Sequence, residues 1–114
     1  MSMTIFKKII DKQIPAKIVH EDEQCLAFHD VQPMAPVHVL IIPKKEIKSM
    51  AELTSADSQL MGHLMVTASE IANTLGLAQN GYRVVLNTRT YGGQSVDHIH
   101  LHLLGGRPFA WPPG

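Results

Sequence analysis

The segment His98-Ile99-His100-Leu101-His102-Leu103-Leu104 constrains the fold more than any other part of the chain. Three of the seven histidines stand here at alternate positions, with apolar residues in the gaps. Alternation is the period of a β-strand, whose side chains point to opposite faces in turn. A strand puts His98, His100 and His102 on one face. Ile99, Leu101 and Leu103 then share the other, toward a core. A helix would scatter the imidazoles around its circumference. The pattern therefore predicts a strand that sets a row of histidines beside a buried sheet.

Imidazole serves as metal ligand, general acid/base or nucleophile. Along a strand, side chains on one face are about 6.6–6.8 Å apart. Zinc takes nitrogen ligands at roughly 2.0–2.1 Å, so two neighbouring histidines can lean onto one ion but all three cannot without a bend. A metal site here needs a ligand from elsewhere, and His38 is the best placed in the sequence. In the second reading His100 is a nucleophile, flanked by groups that orient it and bind an anion. The third is a solvated histidine face without chemistry.

The text around the triad narrows the choice. Gly92-Gly93-Gln94-Ser95-Val96 precedes it and Leu104-Gly105-Gly106-Arg107 follows it. Upstream lie Ile14-Pro15-Ala16-Lys17, Leu26-Ala27-Phe28-His29-Asp30 and Ile42-Pro43-Lys44-Lys45, and the sequence closes with Trp111-Pro112-Pro113-Gly114. With His-x-His-x-His, these segments resemble the histidine triad (HIT) family, and within it the histidine triad nucleotide-binding (HINT) branch. The likeness runs over nearly the whole chain.

At 114 residues the chain is read as one domain over 1–114, with 107–114 as a C-terminal arm. Ten basic and ten acidic residues cancel, which argues against general attraction to nucleic acid or an anionic membrane. Cys25 is the single cysteine, so no intrachain disulfide forms; it lies in an apolar run and reads as a small buried hydrophobe. No apolar run approaches the ~18–20 residues of a membrane span and no signal-like segment opens the sequence, so a cytoplasmic protein is expected.

In chain order, Phe6, Ile9, Ile10 and Gln13 trace a short amphipathic helix capped by Thr4 and ended by Pro15. Lys17–Glu21 and Gln24–Asp30 read as paired strands, with Glu21-Asp22-Glu23 as a solvated turn. Val31–Pro36 is a loop. Val37–Pro43 is an apolar strand interrupted by His38, and Lys44-Lys45 a solvated strand end. Thr54–Leu75 is a long helix whose inner face runs through Ala56, Leu60, Met61, Leu64, Met65, Ala68, Ile71, Ala72 and Leu75, with Thr54 as N-cap and Gly76 just past its end. The methionines read as core filler, and His63, one residue off the stripe, as partly exposed. Tyr82–Asn87 is a strand, and Thr88–Ser95 has the glycines and hydroxyls of an anion-cradling loop. The sum is an α+β fold: an antiparallel sheet of about five strands with one long and one short helix.

The resemblance implies more than the pattern does. It implies a HIT-like homodimer whose sheets join into one, and a purine nucleotide ligand with no cofactor and no metal. It places the ribose on Asp30, with Phe6, Phe28, His29 and Val31 around the base. It makes His100 the nucleophile toward the α-phosphorus of nucleoside 5′-monophosphoramidates such as adenylated lysine, its other ring nitrogen held by the carbonyl of His98. His102 and the amide of Gly93 would bind phosphate oxygens, Asn87 would add a donor, Ser95 would assist the leaving amine, and His38 would bond within the cluster. Alternatives are a zinc-dependent site, a nucleotide-binding adaptor and a dinucleoside polyphosphate hydrolase of the same family. Asp97, just before the triad, either raises the pKa of His98 or faces solvent.

Overall fold

The structure, a computed structural model, describes residues 3–114. Helix α1 spans Ile5–Ile10, and the Thr4 side chain caps it by accepting from the Lys7 N–H at 3.1 Å. It stops short of Gln13: Asp11 is the C-cap and Lys12 turns left-handed at φ 62°, so the chain leaves the helix before Pro15 can end it.

Strands β1 (Ile18–Glu21), β2 (Cys25–His29), β3 (Val37–Pro43), β4 (Arg83–Val85) and β5 (Leu101–Gly105) form one antiparallel sheet in the order β1-β2-β3-β5-β4. The register of β3 on β5 pairs Leu40 with His102 and Ile41 with Leu101. The expected fold class, a five-stranded antiparallel α+β sheet, is the one observed.

Strand alternation sorts the side chains into two clusters. Cys25, Ala27, Val39, Ile41, Leu101 and Leu103 face helix α2 (Ser58–Thr74), whose Leu64, Ala68, Ile71 and Ala72 complete that core. Leu26, Phe28, Leu40 and Ile42 face the other way, toward Phe6 and Ile9 of α1. Burying a Leu or Ile side chain is worth about 1.5–3 kcal/mol, so both faces are anchored by packing.

The long helix is shorter than its periodicity suggested. A 3-10 turn at Ser55–Asp57 precedes it, with Thr54 and Asp57 forming a reciprocal capping box. Thr67 is buried on its inner face, whereas Met65, expected as core filler, is 52% exposed. The expected anion-cradling loop is not plain loop: it holds a one-turn helix α3 (Arg89–Gly92), closed by Gly93 at φ 79°. Among the described residues no helix is long and apolar enough to cross a membrane.

The predicted triad strand is corrected in one respect. Only His102 lies within β5; His98 and His100 precede it in irregular backbone. The physical reason lies on the neighbouring strand. Continuing the β3–β5 register would set Pro43 opposite Ile99, and proline has no N–H to carry the ladder on. The backbone departs instead: the Ile99 N–H donates to the Ile47 carbonyl at 2.7 Å, and the free Pro43 carbonyl receives the His98 ring.

Candidate active site

Four imidazoles gather on the α1 face of the sheet, and each is fixed by a named partner. His98 Nε2 donates to the Pro43 carbonyl at 2.7 Å. His100 Nδ1 donates to the His98 carbonyl at 2.7 Å. A carbonyl only accepts, so both rings carry their proton on the bonded nitrogen. His100 Nε2 is thereby left as a bare lone pair.

A second chain of bonds sets the other two rings. The Met34 N–H donates to His38 Nδ1 at 3.0 Å, which puts the His38 proton on Nε2. His38 Nε2 lies 2.9 Å from His102 Nδ1 and donates to it. His102 therefore holds its own proton on Nε2. The His100–His102 pair thus offers one acceptor, His100 Nε2, and one donor, His102 Nε2, on rings whose centroids are 4.9 Å apart.

Burial keeps these rings neutral. His38, His98 and His100 are 5%, 1% and 3% exposed, and removal from water lowers all three pKa values. Hydrogen bonds to carbonyls and the field of Asp30 pull in the opposite direction for His98, His100 and His38 without winning. His102 is pushed down to about 4 by burial first and then by its neighbours His100 and His38. Phe6 seals the inner side, its ring edge-on to His100 at 5.0 Å and to His98 at 6.2 Å. Asp97 is exposed, and the carboxylate whose field reaches His98 is that of Glu46.

Next to His38 opens a cleft of about 820 Å³, lined among others by Lys17, His29, Asp30, Val31, Pro33 and His38. That volume lies within the roughly 300–1,000 Å³ of small-molecule sites. Asp30 caps the following turn through Oδ1 on the Gln32 N–H at 2.9 Å, while Oδ2 stands 3.4 Å from His38 Nε2. The residues expected around a base divide here. His29 and Val31 line the cleft, Val31 at 93% exposure; Phe6 and Phe28 are interior, packed edge to face at 5.7 Å, and form the wall behind the histidines.

The segment before the triad is stapled in place. The Gln94 side chain donates to the Lys48 and Val96 carbonyls at 2.6 and 2.9 Å and accepts from the Arg89 N–H at 2.8 Å. Val96 packs against the Phe6 cluster, which brings the end of this loop to the triad face. Ser95 is exposed and Asn87 half-buried. The Gly93 N–H donates to the Thr90 carbonyl at 3.1 Å, so it would have to leave or share that bond to meet a phosphate.

Sequence reasoning missed Gln94 as the loop's staple and the Met34 N–H as the origin of the tautomer chain. Backbone donors have no sequence signature. Pro43, which ends the ladder, did carry a readable signal. A zinc reading through two triad histidines and His38 also changes shape: the donor atoms that come within 4.8 Å of one another here belong to Asp30, His38 and His102. The contact between His38 and His102 is already satisfied as a hydrogen bond.

The HIT domain model matches residues 11–109. The chain is 57% identical over 111 residues to an uncharacterized HIT-like protein of Synechococcus elongatus, an overlap covering 97% of this chain and 96% of that one. Among solved structures, a HIT family hydrolase from Legionella pneumophila superposes with a TM-score of 0.97 at 48% identity, covering 98% of this chain and all of that one. A histidine triad nucleotide-binding protein from Candida albicans gives a TM-score of 0.83 at 30% identity, over 96% of this chain and 83% of that one. The chain belongs to the HIT domain family.

Proposed function

We propose that this protein is a purine nucleoside 5′-monophosphoramidate hydrolase of the HINT branch, acting on substrates such as adenosine 5′-phosphoramidate and adenylated lysine. The observation that carries the reading is the 2.7 Å bond from His100 Nδ1 to the His98 carbonyl, which leaves Nε2 unprotonated. Nε2 attacks the α-phosphorus, the P–N bond breaks, and the amine departs with the bonding pair and a proton. A nucleotidyl-histidine remains. Water then attacks the same phosphorus, releases the nucleotide and restores neutral His100. Splitting one hard displacement into two easier ones is the gain of covalent catalysis.

The remaining residues serve the charge and the position. His102 Nε2–H meets a phosphate oxygen as charge gathers on it. His38 holds His102 in the donating tautomer. Asn87 and Gly93 offer further donors, and Ser95 assists the leaving amine. Asp30 accepts the ribose hydroxyls at the mouth of the cleft, and His29 and Val31 flank the base, with Phe6 and Phe28 behind. No metal takes part. Catalysis is in a homodimer with a continuous sheet; exposed Met50, Met65 and Val66, at 54, 52 and 56%, supply apolar surface for it.

The test is AMP release from adenosine 5′-phosphoramidate in the presence of EDTA. Wild type turns over and His100→Ala loses at least about 10³-fold, as expected for a missing nucleophile. Activity lost to EDTA while circular dichroism shows the fold intact, and restored by zinc, overturns the mechanism. Tight AMP binding without turnover in wild type indicates an adaptor instead.

A further inference from the structure

On the other face of the sheet, away from the triad, a second set of side chains meets around one oxygen. His20 comes from β1, Asp22 from the hairpin turn, Cys25 from the start of β2 and His63 from α2. His20 Nε2 and His63 Nε2 each lie 2.7 Å from Asp22 Oδ2, and Cys25 Sγ lies 3.4 Å from it. The turn expected to be merely solvated is thus the centre of a cluster.

Hydrogen bonding alone does not use this arrangement well. One carboxylate oxygen has about two lone-pair directions, yet Oδ2 faces two imidazoles and a thiol. The carboxylate is held for them by the backbone, because Oδ1 accepts from the Gln24 and Cys25 N–H groups at 2.8 and 2.9 Å. The register of β1 on β2 shifts between Ile18 and His20, a bulge of the kind that re-aims a side chain. Cys25 is fully buried, its thiol directed into the cluster and toward Thr67 Oγ1 at 3.9 Å. The nearest donor atoms of His20, Asp22 and Cys25 all lie within 4.8 Å of one another; His63 stands outside that group and meets it through Asp22 Oδ2, so it would complete the set by turning toward the other two.

We infer that His20 Nε2, Asp22 Oδ2, Cys25 Sγ and His63 Nε2 form a binding site for a thiophilic divalent cation, zinc before others. Bond lengths of roughly 2.0–2.3 Å set tetrahedral ligand atoms about 3.3–3.8 Å apart. The imidazoles would withdraw from Oδ2 by about 1 Å to admit the ion, a rotamer-scale adjustment for two partly exposed rings. Thiolate with imidazole favours zinc over magnesium or calcium. The Asp22 carboxylate and the Cys25 thiolate neutralise the two charges of the ion. On binding, the Cys25 S–H bond breaks and its proton passes to solvent, while each imidazole proton moves from Nε2 to Nδ1 by exchange with water. Four protein ligands leave no open position, which marks a structural site joining the β1–β2 hairpin to α2. It is independent of the chemistry proposed for the triad.

Cobalt(II) added to the full chain tests this, because Cys25 is the only cysteine and a sulfur-to-cobalt charge-transfer absorption has no other source. Wild type should develop that band, saturate at one equivalent and lose it to zinc. Cys25→Ser should show none, and His63→Gln should bind at least tenfold more weakly. His100→Ala should keep the band and its midpoint. Should Cys25→Ser fail to fold by circular dichroism, His63→Gln, altered at a partly exposed position, decides alone. The site is refuted by folded wild type without the band, by a band whose midpoint His63→Gln leaves unmoved, or by a band lost in His100→Ala.

Discussion

The two faces of the sheet each carry a group of histidines, and they use imidazole in opposite ways. On the α1 face His98 and His100 donate to carbonyls, and His38 and His102 bond to each other. On the α2 face His20 and His63 both point at a carboxylate. A carbonyl partner fixes a tautomer and leaves the far nitrogen free to act. A carboxylate partner fixes the tautomer as well, but it also brings a charge and can itself become a ligand. What a histidine can do is decided less by its exposure than by which acceptor its neighbour offers.

The sharpest way to break this contrast is His38→Phe. It removes the donor that holds His102 in its tautomer and strips the Met34 N–H of its acceptor. Losing such an orienting partner typically costs 10–100-fold, so hydrolysis should fall by about that factor, mostly in kcat. Equal losses in His38→Phe and His100→Ala would show that His38 does more than orient.

Next comes Asp22→Ala on the opposite face. Two backbone N–H groups and two imidazoles lose their acceptor together. Denaturant titration should show a loss of about 1–3 kcal/mol. An unchanged midpoint would mean that water replaces the carboxylate at no cost.

Acid should discriminate the triad face from the rest of the molecule. His38, His98, His100 and His102 have folded pKa values below their ordinary 6.5, His102 at about 4. The unfolded chain then binds more protons than the folded one as pH falls below 6.5. The stability from burying these rings neutral is complete above that pH and is lost as pH falls toward 4, by up to about 1.4 kcal/mol per pH unit for each ring titrating. Urea midpoints between pH 7.5 and 4.5 measure it, and His102→Phe should flatten the slope. Hydrolysis should stay level above pH 6.5 and decline only on the acid side.

Smaller effects finish the series. Gly93→Ala places a side chain at φ 79° in otherwise open space, so the backbone alone is strained, at about 1–2 kcal/mol. Thermal melting reads that. Lys12→Ala removes an exposed pair with Glu21 and should change stability by less than about 0.5 kcal/mol.

Much of this molecule was legible as text. Within the part of the triad segment that is strand, the alternation put Leu101 and Leu103 on the α2 face as read, because period 2 is a property of the chain itself. Val37–Pro43 was read with its observed bounds for the same reason. The Thr4 cap was visible because capping is local. What failed was non-local. That His98 and His100 leave the ladder depends on a proline of another strand. The Asp22 turn looked solvated because His63, 41 residues further on, cannot be seen beside it. Met65 sat at the edge of the stripe read as buried, yet Thr67 is buried instead, because which edge is covered depends on how the helix lies on the sheet. The site's residue types were readable; the backbone groups that set their tautomers were not.

Met34 has one more consequence. Its N–H is bonded to a ring nitrogen, and its carbonyl accepts from Arg107 Nη2 at 3.0 Å, so the loop is tethered at both ends of a single residue. An amide held by an imidazole lone pair is shielded from solvent deuterium only while that lone pair exists. Protonating or displacing His38 would release it. The exchange rate of this one backbone amide, followed by nuclear magnetic resonance, is therefore a built-in gauge of the protonation state of the histidine cluster, readable without substrate.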